Sequence, residues 1–312
     1  RHTRSFHVTG VQTCALPIFW HGYTRAISPS LVWRVLPRTE IYVICETLSV
    51  QVHGFGANSP RAYTPPPASV DELNWLHRRL GIERVVLVQA SVHGHDNSAM
   101  LDAIAQSPDT YRGVAMVAPT ISDKELADLH AGGVRSIRFN FVQHLGGAPD
   151  LSVVQKMAER IKPFGWHLVL HLDSEDLITY REFLLGLPVP FAIDHMGRAM
   201  VKNGLDQKPF ELLLDLMKTN EKAWVKVSGA ERISADLSAA AGGHYADSAP
   251  FARKLIEAAP DRVLWGTDWP HPNVREMPDD GKLVDLLPLF TSDASLMHKL
   301  LIDNPTRLYW YD

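Results

Sequence analysis

The segment Trp166–Asp173, WHLVLHLD, decides the fold class of this 312-residue chain. Its central Leu-Val-Leu run is typical of a strand that is buried on both faces, as in a parallel sheet. The helical stretch Val153–Lys162 precedes it and a second one, Glu175–Leu185, follows it, so helix and strand alternate. This alternation predicts βαβ units with right-handed crossovers.

The same alternation repeats along the body of the chain. Six further segments have a strand pattern and are each followed by a helical stretch: Arg84–Ser91, Tyr111–Ala118, Val134–Phe141, Pro190–Gly197, Ala223–Gly229 and Arg262–Pro270. Ser69 is predicted to cap a first helix that runs to about Leu80. The units favour an α/β fold, a (β/α)8 TIM-like barrel whose strand one is doubtful or degraded. An open doubly wound sheet is the alternative, although no glycine-rich nucleotide loop follows a strand.

The first sixty residues differ from the rest because they lack a clean helical or strand period. The stretch Val8–Ile18 resembles the conceptual translation of a sequencing adapter, which would make it an assembly artefact. A signal peptide is the alternative, although no sustained apolar core supports it. The sequence thus predicts a doubtful N-terminal segment, residues 1–60, and a barrel domain, residues 61–312. Residues 40–50 are rich in β-branched side chains and fit either a strand or out-of-frame coding sequence.

Composition excludes several functional classes. The net charge of −4 gives no basic excess for nucleic acid, and no run of about 18 uncharged apolar residues predicts a membrane span. The two cysteines are Cys14 and Cys45, so the chain after Cys45 has no disulfide framework and no thiolate zinc site. We expect a cytoplasmic protein with a small-molecule partner, and a homo-oligomer is left open.

Polar side chains cluster at the carboxyl ends of the predicted strands, where (β/α)8 barrels carry their chemistry. They are Ser91 and His93, Arg138 and Asn140, His171 and Asp173, Asp194, His195 and Arg198, Lys226 and Ser228, and Asp268, His271 and Asn273. Packing alone does not require them, so we expect an active site. Structural explanations stand beside this one. Asp268 could cap a turn and His195 could be a core histidine. Arg138 and Lys226 could be partners in internal ion pairs.

Longer motifs around these residues are specific enough to suggest a family. They are YTPP at 63–66, VQAS at 88–91, HG at 93–94, DN at 96–97, IRFNF at 137–141, IDHMGR at 193–198, WGTDWPHPN at 265–273 and NPTRLYW at 304–310. Together they resemble one branch of the amidohydrolase superfamily, the 2-pyrone-4,6-dicarboxylate lactonase group. The resemblance covers about four-fifths of the chain, from Tyr63 onward.

The resemblance implies a hydrolase that opens the ring of 2-pyrone-4,6-dicarboxylate or a related muconolactone during the breakdown of aromatic compounds. It implies that Asp268 activates water and that His195 helps to polarise the scissile carbonyl. It also implies a set of residues that binds a carboxylated lactone: Tyr63, Ser91, Arg138, His144, His171, Arg198, His271 and Asn273. The guanidinium of Arg138 suits bidentate recognition of a carboxylate.

Two departures from the family pattern bear on substrate and metal. His144 and His171 stand where the dicarboxylate lactonase has an arginine and a tyrosine, so a sulfonated or monocarboxylated muconolactone or a sugar lactone stays open. The strand-one His-x-His motif has no full match, and His53 lies in the nearest stretch. We expect no metal and no other cofactor to be required. The alternative is one zinc ion on His171, His195 and Asp268, with His53 as a weak further ligand.

Two other interpretations remain open. A metal-dependent decarboxylase of the same superfamily would use a similar strand-eight aspartate, although the WPHPN stretch after Asp268 favours the lactonase. An inactive chimeric product is the third interpretation, because of the adapter-like segment and the degraded strand-one motif.

Overall fold

Eight parallel strands form the centre of the structure, a computed structural model that describes residues 19–20, 23–24, 41–46, 68–236, 244–272, 274 and 276–311. In chain order the strands are β1 Ile41–Glu46, β2 Ile82–Val88, β3 Tyr111–Ala115, β4 Val134–Asn140, β5 His167–His171, β6 Phe191–Ile193, β7 Ala223–Lys226 and β8 Val263–Leu264. Each strand pairs in parallel with the next one in the chain. This sequential order is that of a (β/α)8 barrel and excludes the doubly wound alternative, in which the order reverses at a switch point. A separate antiparallel pair joins Phe19–Trp20 to Tyr23–Thr24.

Strand one is present, and the prediction that it is lost or degraded is wrong. β1 pairs with β2 from Ile41, opposite Ile82, to Glu46, opposite Leu87. The β-branched run that fitted either a strand or out-of-frame sequence supplies this strand. The predicted domain boundary near residue 60 stays a prediction, because residues 47–67, which include His53, lie outside the described part of the chain.

Helices follow the strands as the sequence predicts. They are α1 Val70–Leu80, α2 Ser98–Gln106, α3 Asp123–Ala131, α4 Leu151–Ile161, α5 Asp176–Thr179, α6 Arg181–Leu185, α7 Lys208–Thr219, α8 Ala230–Ile233, α9 Ala249–Ala258, α10 Asp280–Asp285, α11 Leu287–Phe290, α12 Ala294–His298 and α13 Asn304–Tyr309. Ser69 caps α1 in a capping box with Glu72, which confirms the predicted start of that helix. The single helix predicted over Glu175–Leu185 is divided at Tyr180 into α5 and α6. Across the described ranges, none of the helices has both the length and the apolar character needed to cross a membrane.

Two apolar layers cover the two faces of the sheet. The larger layer packs helices on the outer face and includes Val85 and Leu87 of β2. The smaller layer, here called the inner cluster, consists of Val86, Val88, Val114, Val169, Ala192, Trp224, Leu264, Leu308 and Tyr309. Because side chains alternate across a strand, residues two positions further along lie on the same inner face. On β5, β6 and β7 those positions hold His171, Asp194 and Lys226. Polar residues therefore lie directly beyond an apolar layer.

Two buried histidines link the stability of the fold to pH. His167 Nε2 lies 3.0 Å from the Tyr309 hydroxyl, and His77 of α1 lies within the electrostatic influence of Asp280. Burial lowers the pKa of each histidine to about 3 from its ordinary 6.5. Between those values the unfolded chain binds protons that the folded chain does not bind. Stability is therefore present above pH 6.5 and is lost as the pH falls below it.

We expect these two histidines together to lower the free energy of unfolding by about 3 kcal/mol between pH 7.5 and pH 5.5. Denaturant unfolding of the unaltered protein and of His77→Gln at both pH values isolates the contribution of His77, since other buried histidines also add to the total decrease. His77→Gln has no titrating ring and should make the decrease smaller by about 1.4 kcal/mol. The same decrease in the variant as in the unaltered protein would contradict the role given to His77.

Candidate active site

The candidate active site lies on the inner face of the sheet, at the carboxyl ends of β4 to β8. Its central residues are Arg138 in β4, His171 at the end of β5, Asp194 and His195 after β6, Lys226 at the end of β7 and Asp268 after β8. All of them except Arg138, which is partly exposed, are buried. Buried charges are stable only when they are paired or hydrogen-bonded, so the pairing within this group determines its chemistry.

Asp268 is held by one of its two carboxylate oxygens. Oδ2 accepts a hydrogen bond from Arg232 Nε at 2.7 Å, and a second nitrogen of the same guanidinium also contacts Oδ2. Oδ1 lies 3.8 Å from His195 Nε2. A charge-assisted contact of this kind restricts the carboxylate to one orientation. Arg232 thus fixes Oδ2 and directs Oδ1 toward His195.

His195 is neutral and has a defined orientation. Its Nδ1 lies 3.1 Å from Ser228 Oγ. Burial lowers the pKa of His195 well below the usual value, and the positive charges of Arg232 and Lys226 lower it further. A neutral ring whose Nδ1 accepts from the Ser228 hydroxyl carries its proton on Nε2. His195 can then donate a hydrogen bond from Nε2 beside Asp268.

The turn after β6 consists of four residues in the left-handed region. The φ angles of His195, Met196, Gly197 and Arg198 are 53°, 53°, 62° and 51°. Residues other than glycine rarely adopt positive φ angles, so packing around the turn must stabilise it. The turn is the local structure that presents both His195 and Arg198 to the site.

Gly229 leaves the space that the His195 ring occupies. It follows β7 with a φ of 70°, and a Cβ atom built there would lie 2.7 Å from His195 Nδ1 and 2.9 Å from its Cγ. Three residues later, α8 carries Arg232, which holds Asp268. The loop after β7 therefore contacts His195 and Asp268 at the same time.

Lys226, Asp194 and Arg138 form a group that we call the ion triad. Lys226 Nζ lies 2.6 Å from Asp194 Oδ1, and Arg138 Nη2 lies 3.4 Å from Asp194 Oδ2. Arg138 also donates to the backbone carbonyl of Gln89 at 3.4 Å. The internal ion pairs that the sequence left open for Arg138 and Lys226 are therefore present.

Arg198 and His171 form a second polar group. Arg198 Nε lies 2.9 Å from Asp173 Oδ1, and its Nη1 lies 3.5 Å from His171 Nε2. His171 Nδ1 lies 3.2 Å from Asn140 Oδ1, and the His171 and His195 rings meet edge to face with centroids 5.5 Å apart. Burial, followed by the nearby guanidinium charges, lowers the pKa of His171 well below the usual value. His171 is therefore also a neutral ring.

His271 is buried between two acidic residues. Its Nε2 lies 2.8 Å from Asp280 Oδ1, and its Nδ1 lies 3.9 Å from Glu231 Oε1. Burial raises the pKa of the Glu231 carboxyl, against the opposing charge of Arg232. These contacts fasten the loop after β8 to α8 and α10. The substrate-binding role predicted for His271 stays a prediction.

Four other predicted residues lie on loops or outside the described part of the chain. Ser91 begins the short 3-10 turn Ser91–His93 after β2 and is half-buried. His144 is exposed on the turn that follows β4. Tyr63 and Asn273 lie outside the described residues. The substrate-binding roles of all four stay predictions.

The three residues of the alternative zinc site do not suit a divalent cation. Arg198 lies 3.5 Å from His171 Nε2, and Arg232 holds Asp268. His195 has a lowered pKa partly because positive groups surround it. Guanidinium groups repel a cation, and here they contact His171 Nε2 and Asp268 Oδ2, two of the atoms that could bind a zinc ion.

A second group of three possible metal ligands also lies beside a guanidinium group. Ligand atoms of Glu231, Asp268 and His271 lie within 4.8 Å of one another, a separation that one ion could bridge. Arg232 contacts both carboxylates of this trio. Neither trio fits a divalent ion while Arg232 occupies this position.

Arg232, Glu231 and Gly229 were not among the predicted site residues. The polar residues predicted at this strand end are Lys226 and Ser228, whereas the chain turns at Gly229 into α8 and brings Arg232 back onto Asp268. The sequence does contain an indication of these residues. Gly229 ends the predicted strand, and the charged pair Glu231-Arg232 begins two residues after it.

Comparison with known proteins gives a consistent result. The amidohydrolase family profile matches residues 51–310. The 2-pyrone-4,6-dicarboxylate hydrolase of Comamonas testosteroni is 47% identical over 254 residues, which cover 80% of this chain and 83% of that protein. A 4-sulfomuconolactone hydrolase of Rhizobium radiobacter is 40% identical over 253 residues, covering 80% and 83%. The crystal structure of a candidate 2-pyrone-4,6-dicarboxylic acid hydrolase from Pseudomonas putida aligns with a TM-score of 0.74 and 29% identity, covering 87% of this chain and 97% of that one.

Proposed function

Because the chain belongs to the amidohydrolase family, we propose that it is a hydrolase that opens the ring of a carboxylated lactone. One observation carries the proposal. Arg232 holds Oδ2 of the buried Asp268, while Oδ1 faces the neutral ring of His195 at 3.8 Å. This arrangement supplies a base for water and a donor for a carbonyl oxygen in the same place.

Ring opening begins when a water oxygen attacks the carbonyl carbon of the lactone. Asp268 takes one proton from this water as the new carbon–oxygen bond forms, and its pair with Arg232 holds the carboxylate in position. The tetrahedral intermediate then collapses, and the bond between that carbon and the ring oxygen breaks. Asp268 returns the proton to the departing oxygen. One water is consumed, and no oxidant or reductant is needed.

His195 stabilises the charge that develops on the carbonyl oxygen. The ring is neutral, and because Nε2 faces the Asp268 carboxylate while Nδ1 can accept from the Ser228 hydroxyl, we assign its proton to Nε2, which can donate to that oxygen. A donor fixed in advance costs no reorganisation at the moment of reaction. The assignment of His195 as a catalytic residue rests on this geometry.

Arg138 and Arg198 provide guanidinium donors for the acidic groups of the substrate, and Arg198, which is paired with Asp173, adds hydrogen bonds without adding net charge. Two relatives are named as hydrolases of 2-pyrone-4,6-dicarboxylate, a dianion, and of 4-sulfomuconolactone, which carries a sulfonate. Guanidinium groups bind carboxylate and sulfonate oxygens well. The proposal keeps Ser91, His144 and His171 as further substrate-binding residues.

The proposal includes a closed (β/α)8 barrel. β1 and β8 both contact the helical segment Lys299–Asp303, and β1 also contacts α13. The two ends of the sheet thus converge on the same part of the chain. Closure would bring the loop after β1 to the same end of the barrel as Asp268.

Turnover of the two lactones tests the function. We expect the purified protein to consume 2-pyrone-4,6-dicarboxylate, 4-sulfomuconolactone or both, as followed by ultraviolet absorbance. Release of carbon dioxide from a carboxylated aromatic acid on addition of manganese, with neither lactone consumed, would instead favour the decarboxylase. Failure of every assay would favour an inactive product.

We further propose that no metal is required, as the guanidinium groups beside the candidate ligands suggest. Treatment with a chelator followed by desalting should leave the rate of lactone turnover within about twofold of the untreated protein. Added zinc should not raise the rate. Loss of activity on chelation and its return with zinc would contradict the proposal and support the zinc site.

A further inference from the structure

The ion triad contains two cations and one anion. Arg232 pairs with Asp268, and Arg198 pairs with Asp173, so each of these pairs has no net charge. In the triad, Lys226 and Arg138 share the single carboxylate of Asp194. The triad therefore carries one positive charge in excess.

Lys226 is deeply buried, and a charged residue in such a place suggests a functional role. Its side chain is 1% exposed and that of Asp194 is 0% exposed, whereas the side chain of Arg138 is 10% exposed. Burying an ammonium group is costly, and an apolar residue would stabilise a strand end better. A buried charge of this kind is expected where function requires it.

Asp194 would cancel the charge of Arg138 if Lys226 were absent. The Arg138–Asp194 pair alone is neutral, and a substrate carboxylate near it would gain little from the guanidinium. Lys226 approaches Asp194 more closely than Arg138 does, at 2.6 Å against 3.4 Å. The charge of Asp194 is therefore neutralised mainly by Lys226.

We propose that Lys226 is a positioning residue that sets the specificity of the site for anions: it neutralises Asp194 and leaves the charge of Arg138 available to an acidic group of the substrate. The inference rests on the proposed function, which it deepens by naming the origin of the charge. Lys226 does this from within the barrel and does not touch the substrate.

Among the described residues, the other charged groups near the triad do not replace Lys226, because Arg198 and Arg232 are already paired with Asp173 and Asp268. The field of Lys226 reaches His167, His171 and His195, and it lowers the pKa of each ring. These rings are neutral, so they contribute no positive charge. Burial raises the pKa of the Glu231 carboxyl, which favours its uncharged form.

The test is a charge cycle on Lys226 and Asp194. The probe is isophthalate, a planar dianion whose carboxylates have the same 1,3 relation as those of 2-pyrone-4,6-dicarboxylate, and isophthalamide is its uncharged counterpart. Binding is measured by isothermal titration on the unaltered protein, Lys226→Met, Lys226→Met with Asp194→Asn, and the control Lys222→Met. Lys222 is an exposed lysine that lies just before the other end of β7.

We expect Lys226→Met to weaken isophthalate binding on the order of 30-fold. The double variant, which restores one excess positive charge, should bind within about threefold of the unaltered protein. Isophthalamide binding should be the same in all four proteins, and Lys222→Met should match the unaltered protein. Thermal denaturation shows that each variant is folded.

Three results would overturn the proposal. They are unchanged isophthalate affinity in Lys226→Met, no recovery in a folded double variant, and no binding of isophthalate to the unaltered protein. If Lys226 served only to pack the strand end, the double variant would not recover binding. Removing both charges restores the net charge of the triad but does not restore the lost packing. Lactone turnover by the unaltered protein is measured separately, so a failure of the proposed hydrolase function is distinguishable from a failure of this inference.

Discussion

Replacement of Asp268 by Asn is expected to reduce lactone turnover by roughly 10³-fold while the protein stays folded. The amide cannot take a proton from water, but its oxygen can still accept from the Arg232 guanidinium that holds Oδ2. The shape of the side chain is retained, so the loss should fall on kcat with little change in KM. Steady-state kinetics and a thermal melt measure the two effects.

Asp293→Asn is the matched control for this substitution. Asp293 caps α12 through hydrogen bonds from the backbone of Ser295 and Leu296, far along the chain from the site, and asparagine caps helices equally well. Its turnover should stay within twofold of the unaltered protein. Turnover by Asp268→Asn above a tenth of the normal rate would remove Asp268 from the mechanism.

Replacement of Gly229 by Ala is expected to lower kcat by about 100-fold. The new Cβ would lie 2.7 Å from His195 Nδ1, so the imidazole must move, and a displacement of about 1 Å in a catalytic group can cost that factor. The left-handed backbone at φ 70° adds a penalty of about 1 kcal/mol for any residue other than glycine. Kinetics and denaturant unfolding are the two measurements.

Gly81→Ala separates the two effects. Gly81 ends α1 with φ 68° and ψ 29°, close to the 70° and 32° of Gly229. We expect Gly81→Ala to lose similar backbone stability but to keep its turnover. Equal turnover in the two variants would show that the space beside His195 does not matter to the reaction.

The strands and their polar ends could be predicted because both are local patterns. An apolar run such as that of β5 identifies a buried strand without knowledge of its neighbours. The polar residues at the ends followed from the rule that parallel strands bring their carboxyl ends together. His195 and Asp268 were found in this way, and the structure places them 3.8 Å apart.

The pairing of charges could not be predicted in the same way. Arg232 contacts Asp268 from 36 positions earlier in the chain, and this contact depends on the turn at Gly229. Whether Asp194 pairs more closely with Lys226 or with Arg138 depends on distances between β4, β6 and β7, and no local sequence pattern contains those distances. A charged residue shows in the sequence, but its partner is a property of the folded chain.

Strand one shows the converse case. The run Ile41–Glu46 has a strand pattern, yet it lies in an N-terminal segment whose residues 8–18 resemble an adapter sequence, and no full family motif follows it. The structure pairs five of its six residues with β2. Here β-branched composition was the better guide, because strand formation depends on side-chain shape and not on a motif.

The apolar layer beneath the site has a consequence for how the chain folds. His167 and Tyr309 meet in that layer although 142 positions separate them, and Leu308 joins the same cluster. Contacts between such distant residues raise the contact order, and they form after local helices and strand pairs because their loop-closure entropy is large. We expect the polar residues above them to reach their final geometry only after this cluster has formed. Catalytic competence should therefore be among the last properties to appear during refolding, well after most of the helix signal has returned.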